Sequence, residues 1–213
     1  MLLIMARHGN TFDPGDRVVW VGARTDLPLT SKGREQAALL GSGLEPVKAR
    51  IKRIVSGPLK RTSEHAGIAA RILGLETPVE IDGRLREIDY GLWEGKTSEE
   101  IQALGGEAEL KAWSERGAWP ESPRWSPPEQ AVGENVARLS HEIASSFSGD
   151  DAALLVTSNG ILKFFLKLAP GAFQEMANRQ ALKVATGNCC ALSFEEGVWQ
   201  VAFWNRKPPQ LFP

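Results

Sequence analysis

Leu2-Leu3-Ile4-Met5-Ala6, running straight into Arg7-His8-Gly9-Asn10-Thr11, governs how the rest of the chain is read. Five apolar residues without alternation mark a strand buried on both faces, as in parallel sheets covered by helices. The run stops in a polar loop with a fixed cation, a titratable imidazole and a glycine. The same pattern recurs twice. Ile51, Ile54 and Val55 outline a second strand that breaks at Ser56-Gly57-Pro58, and Ala152 to Thr157 is another fully buried strand, breaking at Ser158-Asn159-Gly160.

Helical signals lie between these strands. Thr30 suits the cap of a helix whose buried side is Ala37, Leu39, Leu40 and Leu44. Pro58 suits the first turn of a second helix, continued by Ile68, Ala69, Ile72 and Leu73. A short strand at Val79–Ile81 follows, and Thr97-Ser98-Glu99-Glu100 fits a capping box. Val136, Leu139, Ile143 and Phe147 mark an amphipathic helix, and Ile161–Leu168 an apolar one. Ala191–Phe194 and Val198–Phe203, joined through Glu195-Glu196-Gly197, read as a hairpin. The alternation predicts an α/β fold: a three-layer αβα sandwich, its sheet mostly parallel with an antiparallel edge strand, and helices on both faces. Active sites on such sheets lie outside the carboxyl ends of the strands. Three polar loops fall there: Arg7–Thr11, Ser56–Arg61 and Ser158–Gly160.

The 213 residues fit one domain, 1–213, and can bury a core without disulfides or a structural metal. Within it, residues 105–131 change composition, with Trp113, Trp119 and Trp125 among prolines 120, 123, 127 and 128. That stretch reads as an insertion folded over the rest, a candidate lid, its tryptophans packing it in place and shaping specificity. Lys and Arg total 25 against 26 Asp and Glu, so no global basic field recruits nucleic acid or anionic lipid. The only cysteines, Cys189 and Cys190, are adjacent and would point to opposite faces of a strand, which speaks for a reducing compartment. The apolar start meets Arg7 too soon for a signal peptide, and no run approaches the about 20 apolar residues of a membrane span. A cytoplasmic, soluble protein without nucleic-acid or membrane partners is expected. Its oligomeric state is not legible.

Two guanidiniums around one imidazole lower its pKa. That suits a neutral nucleophile attacking a phosphate dianion held by the arginines. Arg7 and His8 supply one half of such a site. Arg61, in the first turn of a helix whose amides could also hold an anion, supplies the other.

Several ordered motifs then resemble the histidine phosphatase superfamily, also called the phosphoglycerate mutase-like family. Arg7-His8-Gly9-Asn10-Thr11 resembles its Arg-His-Gly-x-Thr signature. Arg24-Thr25-Asp26-Leu27-Pro28-Leu29-Thr30, with Gly33 and Gln36-Ala37, is similar to the segment that follows. Ser56-Gly57-Pro58-Leu59-Lys60-Arg61-Thr62 resembles the segment with the second phosphate-binding arginine. Leu85 to Gly95 resembles the acid-bearing segment of the phosphatase branch, and Gly133-Glu134-Asn135 the Gly-Glu-Ser that opens the next helix. The resemblance implies a phosphomonoester hydrolase with His8 transiently phosphorylated and Glu87 protonating the leaving group. Arg7, Arg61, Asn10, Thr11 and Asn159 would bind the phosphate of a small substrate, with no metal and no cofactor. Asp89, facing the same side if its segment is extended, is the second candidate acid. The chain departs from the pattern at Ser158-Asn159-Gly160, where the family has Ser-His-Gly, and at Pro14, where it often has asparagine. An amide at 159 donates a hydrogen bond but brings no charge. The alternative is therefore a phosphate-ester-binding or regulatory protein with weak turnover, and a phosphoglycerate-type mutase ranks behind both. His65, four residues after Arg61, is the candidate to restore the charge. His141, opposite its helix's apolar stripe, should face solvent.

Overall fold

A computed structural model describes residues 1–212. In chain order the elements are β1 (Leu2–Arg7), α1 (Ser31–Gly43), β2 (Ile51–Ser56), α2 (Lys60–Leu73), β3 (Val79–Ile81), α3 (Ser98–Ala103), α4 (Glu107–Arg116), α5 (Glu129–Ser146), β4 (Ala152–Thr157), α6 (Asn159–Phe165), α7 (Ala172–Asn178), β5 (Cys189–Glu195) and β6 (Val198–Arg206). The strands form one sheet in the order β3-β2-β4-β1-β5-β6. The first four run parallel. The β5–β6 hairpin closes one edge, with β5 antiparallel to β1.

Side-chain alternation along the strands divides the interior in two. Ile4, Ala6, Ile54, Leu154 and Val156 pack with Leu40 of α1 and Ala66, Ala69 and Leu73 of α2. Leu3, Met5, Val55, Ala153 and Leu155 pack on the other face with Val136 and Leu139 of α5 and Ile161, Leu162 and Phe165 of α6. Cys189 joins the first cluster and Cys190 the second, and both are free thiols. The expected sandwich is thus present, with helices on both faces.

Several details differ from the sequence reading. Leu39 and Ile72 face solvent, at 46% and 51% exposure. Gly33, Ala37, Leu40 and Gly41 set the buried arc of α1, and Leu39 falls about 100° outside it. Ile72 is displaced in the same way from Ala69 and Leu73 on α2. Pro58 lies ahead of its helix, which begins at Lys60 after the N-cap Leu59. The helix after β4 starts at Asn159 and tightens into a 3-10 turn at Leu166–Leu168. The short helix α7, which opens after Pro170-Gly171, was not foreseen. His141 is exposed as expected.

The 105–131 segment contributes α4 and is anchored by aromatic packing. Trp125 is its hub, edge-to-face with Tyr90 and Trp113 at centroid distances of 4.8 Å, and with Trp93 and Trp119 at 5.2 Å. Such pairs stabilise by about 0.5–1.5 kcal/mol each beyond their burial.

Candidate active site

Sheet register brings the three loops to one level. Arg7 pairs with Thr157 across β1–β4, and Ser56 with Val156 across β2–β4. One step on, the His8 N–H donates to Thr157 O and the Gly57 N–H to Val156 O, each at 3.0 Å. A cavity of about 750 Å³ opens there, and Arg7, His8, Asn10, Thr11, Arg61, Glu87 and Asn159 all line it. Leu110, Trp113 and Ser114 of the 105–131 segment form part of its wall.

His8 is buried, and its Nδ1 lies 2.8 Å from Gly9 O. A carbonyl only accepts, so Nδ1 carries the proton and Nε2 keeps its lone pair. Burial first, then the charges of Arg7 and Arg61, hold the pKa of His8 well below the usual imidazole value. The ring is therefore neutral near neutral pH. Gly9 has no substitute here: a Cβ would stand 2.4 Å from Gly33 O.

Both guanidiniums are anchored to backbone carbonyls. Arg7 donates through Nη1 to Val184 O at 2.6 Å, and its buried Nε has no partner among the described residues. Arg61, 1% exposed, donates through Nη1 to Thr25 O and through Nη2 to Gly22 O. Neither forms an ion pair among the described residues. Burial lowers both pKa values, opposed by Glu87. Arginine remains charged under such conditions, so the cavity holds two cations without a neutralising contact. The α2 amides contribute less than expected, because the Lys60 N–H already donates to Asp26 Oδ1.

Glu87 is buried, and its Oε1 accepts from Ile88 N–H and its Oε2 from Gly160 N–H. Burial raises its pKa, against the pull of these bonds and of the Arg61 charge. A Cβ on Gly160 would come 2.4 Å from Glu87 Oε1, so the glycine after Asn159 is what admits the carboxyl. Tyr90, missed in the sequence reading, lines the same cavity, where burial and the neighbouring Glu87 push its hydroxyl pKa up.

Two expectations fail. Asp89 does not face the cavity. Its Oδ1 accepts from Gly91 N–H, it pairs with Arg24 at 3.0 Å, and its backbone bridges to Ser126. The Arg24 charge holds it on the far side. His65 is fully buried, and its Nδ1 accepts the Gly9 N–H at 3.0 Å. Burial lowers its pKa to about 3, so it supplies no charge. Its task is to brace the glycine next to His8.

Asn159 accepts the Val184 N–H on Oδ1 at 2.9 Å, which turns its Nδ2 donor away from that bond. Val184 thus fixes Asn159 through its N–H and Arg7 through its carbonyl. Asn10 is held by Gln36, which accepts its N–H, and by Thr186, whose hydroxyl donates to Asn10 Oδ1. Lys163, also missed, lines the cavity one turn after Asn159. A cation inside the run Ile161–Leu168 was the available signal. Among the described residues, no group of three or more His, Cys, Asp or Glu is placed to hold a metal ion. None of the described helices is long and apolar enough to cross a membrane.

An α/β sheet that gathers an imidazole, two guanidiniums and a buried carboxyl on one cavity has the plan of a histidine-based phosphoryl-transfer protein. Residues 3–207 match the family model of the histidine phosphatase superfamily (branch 1), and the chain belongs to that superfamily. It is 31% identical over 168 residues to a glucosyl-3-phosphoglycerate phosphatase of Mycolicibacterium vanbaalenii, covering 74% of this chain and 68% of the relative. It is 25% identical over 207 residues to a probable phosphoglycerate mutase of Salmonella arizonae, covering 94% and 88% of the two chains. Among solved structures it resembles a mycobacterial glucosyl-3-phosphoglycerate phosphatase, with a TM-score of 0.78 and 28% identity over 97% of this chain and 99% of the other.

Proposed function

We propose that the protein is a phosphomonoester hydrolase that works through a phosphohistidine on His8 and needs no metal ion. One observation carries the reading: a neutral imidazole with Nε2 unengaged shares a cavity with two guanidiniums, Arg61 buried and Arg7 half-buried, that meet no carboxylate among the described residues. In this reading Arg7 and Arg61 hold the phosphoryl oxygens, joined by Asn159, Asn10 and Thr11. Nε2 of His8 attacks phosphorus as the ester P–O bond breaks, and Glu87 gives its proton to the departing oxygen. Water then attacks the phosphohistidine, Glu87 takes a proton from it, and His8 and phosphate separate. In-line positioning and charge stabilisation are most of what such a transfer requires. The raised pKa of Glu87 supports the acid role. A cavity of about 750 Å³ is within the range for a small organic ligand, and exceeds what a phosphate alone occupies. The setting is the cytoplasm, where Cys189 and Cys190 stay reduced.

The neutral amide of Asn159 favours a second reading, a phosphate-ester-binding protein with little turnover. A panel of phosphomonoesters, including glucosyl-3-phosphoglycerate, 3-phosphoglycerate and p-nitrophenyl phosphate, decides between them when assayed with chelator present. The parent should release phosphate, and His8→Ala should lose turnover by about 10⁴-fold or more while keeping the parent's circular dichroism. Phosphate binding without release from any ester selects the second reading. An absolute need for a divalent ion, or parent-like turnover by His8→Ala, overturns the first.

A further inference from the structure

Lys163 is a buried cation that the steps above leave unused. Every residue of α6 from Gly160 to Phe165 is buried, and Lys163 itself is 3% exposed. An ammonium in such a place is costly unless a partner neutralises it. Among the described residues Lys163 forms no ion pair. It donates one long hydrogen bond, 3.4 Å, to the Trp113 carbonyl, and its Nζ sits 3.6 Å from the centroid of the Trp113 ring. An indole face holds a cation in waiting but does not cancel its charge.

The fold puts this charge in the cavity that holds the candidate phosphate-binding groups. Lys163 follows Asn159 by one helical turn, and helical side chains lean back over the preceding turn. Its stem therefore starts over the Asn159 turn, and both residues line the same cavity as Arg7, His8 and Glu87. Burial brings its pKa down to about 7, with Glu87 raising it and Arg7 lowering it. A phosphate dianion alongside favours the charged form.

We propose that Lys163 binds the phosphoryl group of the substrate, leaving the Trp113 face to supply positive charge on the side of the pocket where Asn159 offers only a neutral amide. The inference rests on the phosphomonoester reading above. It makes α6 a two-residue device, with a donor at its start and a cation one turn later. It also gives Trp113 a role beyond packing, as the resting place of that cation.

The test uses K163M and K163R in the whole protein. Inorganic phosphate binding is measured by calorimetry, and hydrolysis with p-nitrophenyl phosphate, which has one anionic group. K163M should weaken phosphate binding and lower kcat/KM by about ten- to a hundredfold at pH 6.5, and K163R should recover most of both. The ratio of parent to K163M affinity should shrink as pH rises, because burial, helped by Arg7 and opposed by Glu87, lets the parent's ammonium deprotonate. Taking the ratio removes the titration of phosphate itself, and repeating it in the Glu87→Gln background removes that of Glu87, which is coupled to Lys163. Exchanging a buried unpaired cation for an apolar side chain should leave the fold intact. If K163M does not fold, K163Q is judged by the same numbers. Phosphate affinity and p-nitrophenyl phosphate turnover within twofold of the parent overturn the proposal. So does a defect confined to esters with a second anionic group, such as 3-phosphoglycerate, which would place Lys163 against the leaving group. A parent that binds phosphate but hydrolyses nothing defeats the phosphatase reading alone, since the phosphate affinities still decide the part of Lys163.

Discussion

The two helices that begin at the pocket are built on the same spacing and use it in opposite order. α2 presents a cation, Arg61, in its first turn and a neutral group, His65, one turn on. α6 presents a neutral amide, Asn159, at its first residue and a cation, Lys163, one turn on. On α2 the cation is tied by two backbone carbonyls and the imidazole is spent on Gly9 N–H. On α6 the amide is tied by Val184 N–H and the ammonium rests on an indole. Residue type alone would have ranked His65 above Lys163 as a switchable partner for the phosphate. Burial reverses that order, holding His65 near 3 and bringing Lys163 to about 7.

The strongest test of this arrangement acts where α6 meets the acid. Ile88 N–H and Gly160 N–H hold the two oxygens of Glu87, so Glu87→Gln keeps one of these bonds, loses the other and removes the proton. Turnover of alkyl phosphates should fall by about 10²–10⁴-fold, and that of p-nitrophenyl phosphate far less, because its leaving group needs no proton. The sign of the pH dependence follows from the raised pKa of Glu87. The acid is present below that pKa and lost as pH rises through it, so Glu87→Gln should lose the part of the parent's alkaline limb that Glu87 contributes and keep the part that comes from Lys163. The lowered pKa of His8 puts the acid limb well below 6.5, so activity should persist into mildly acidic solution. An equal loss on both classes of ester would remove Glu87 from proton transfer.

Asn159→His sharpens the contrast between the helices. In the parent, where Lys163 already supplies charge, the gain in kcat should stay under about tenfold. In the K163M background the same change should return about ten- to a hundredfold, mostly in kcat rather than KM. Equal gains in both backgrounds would make the two positions independent. A fall in both would mean that the site is built around the amide.

The smallest effect is expected on α2. His65→Gln can still accept the Gly9 N–H, so turnover should change by less than about threefold, with a stability loss on the order of 1 kcal/mol. Its pH–rate profile should overlay that of the parent, because His65 is neutral throughout the working range. A missing limb would return the charge to α2.

Much of this molecule was legible before any coordinates. Unalternating apolar runs at 2–6 and 152–157 have one economical home, a helix-covered parallel sheet, and both are strands of it. Parallel neighbours in register then bring the segments after β1, β2, β3 and β4 together, so His8, Arg7, Arg61, Glu87 and Asn159 line one cavity as their motifs implied. Those inferences depend on periodicity and chain order, which a sequence contains in full. Asp89 was misread because its segment is too irregular for alternation to assign a side, and Arg24, far away in sequence, holds it outward. His65, Lys163 and the amide of Lys60 were misjudged or missed for a different reason. Whether a group is charged, and whether a donor is free, depends on what surrounds it in space: the burial of His65, the Trp113 ring beneath Lys163, the Asp26 carboxylate on Lys60 N–H. Desolvation and through-space charge are properties of the packed interior, and only the tertiary structure decides them.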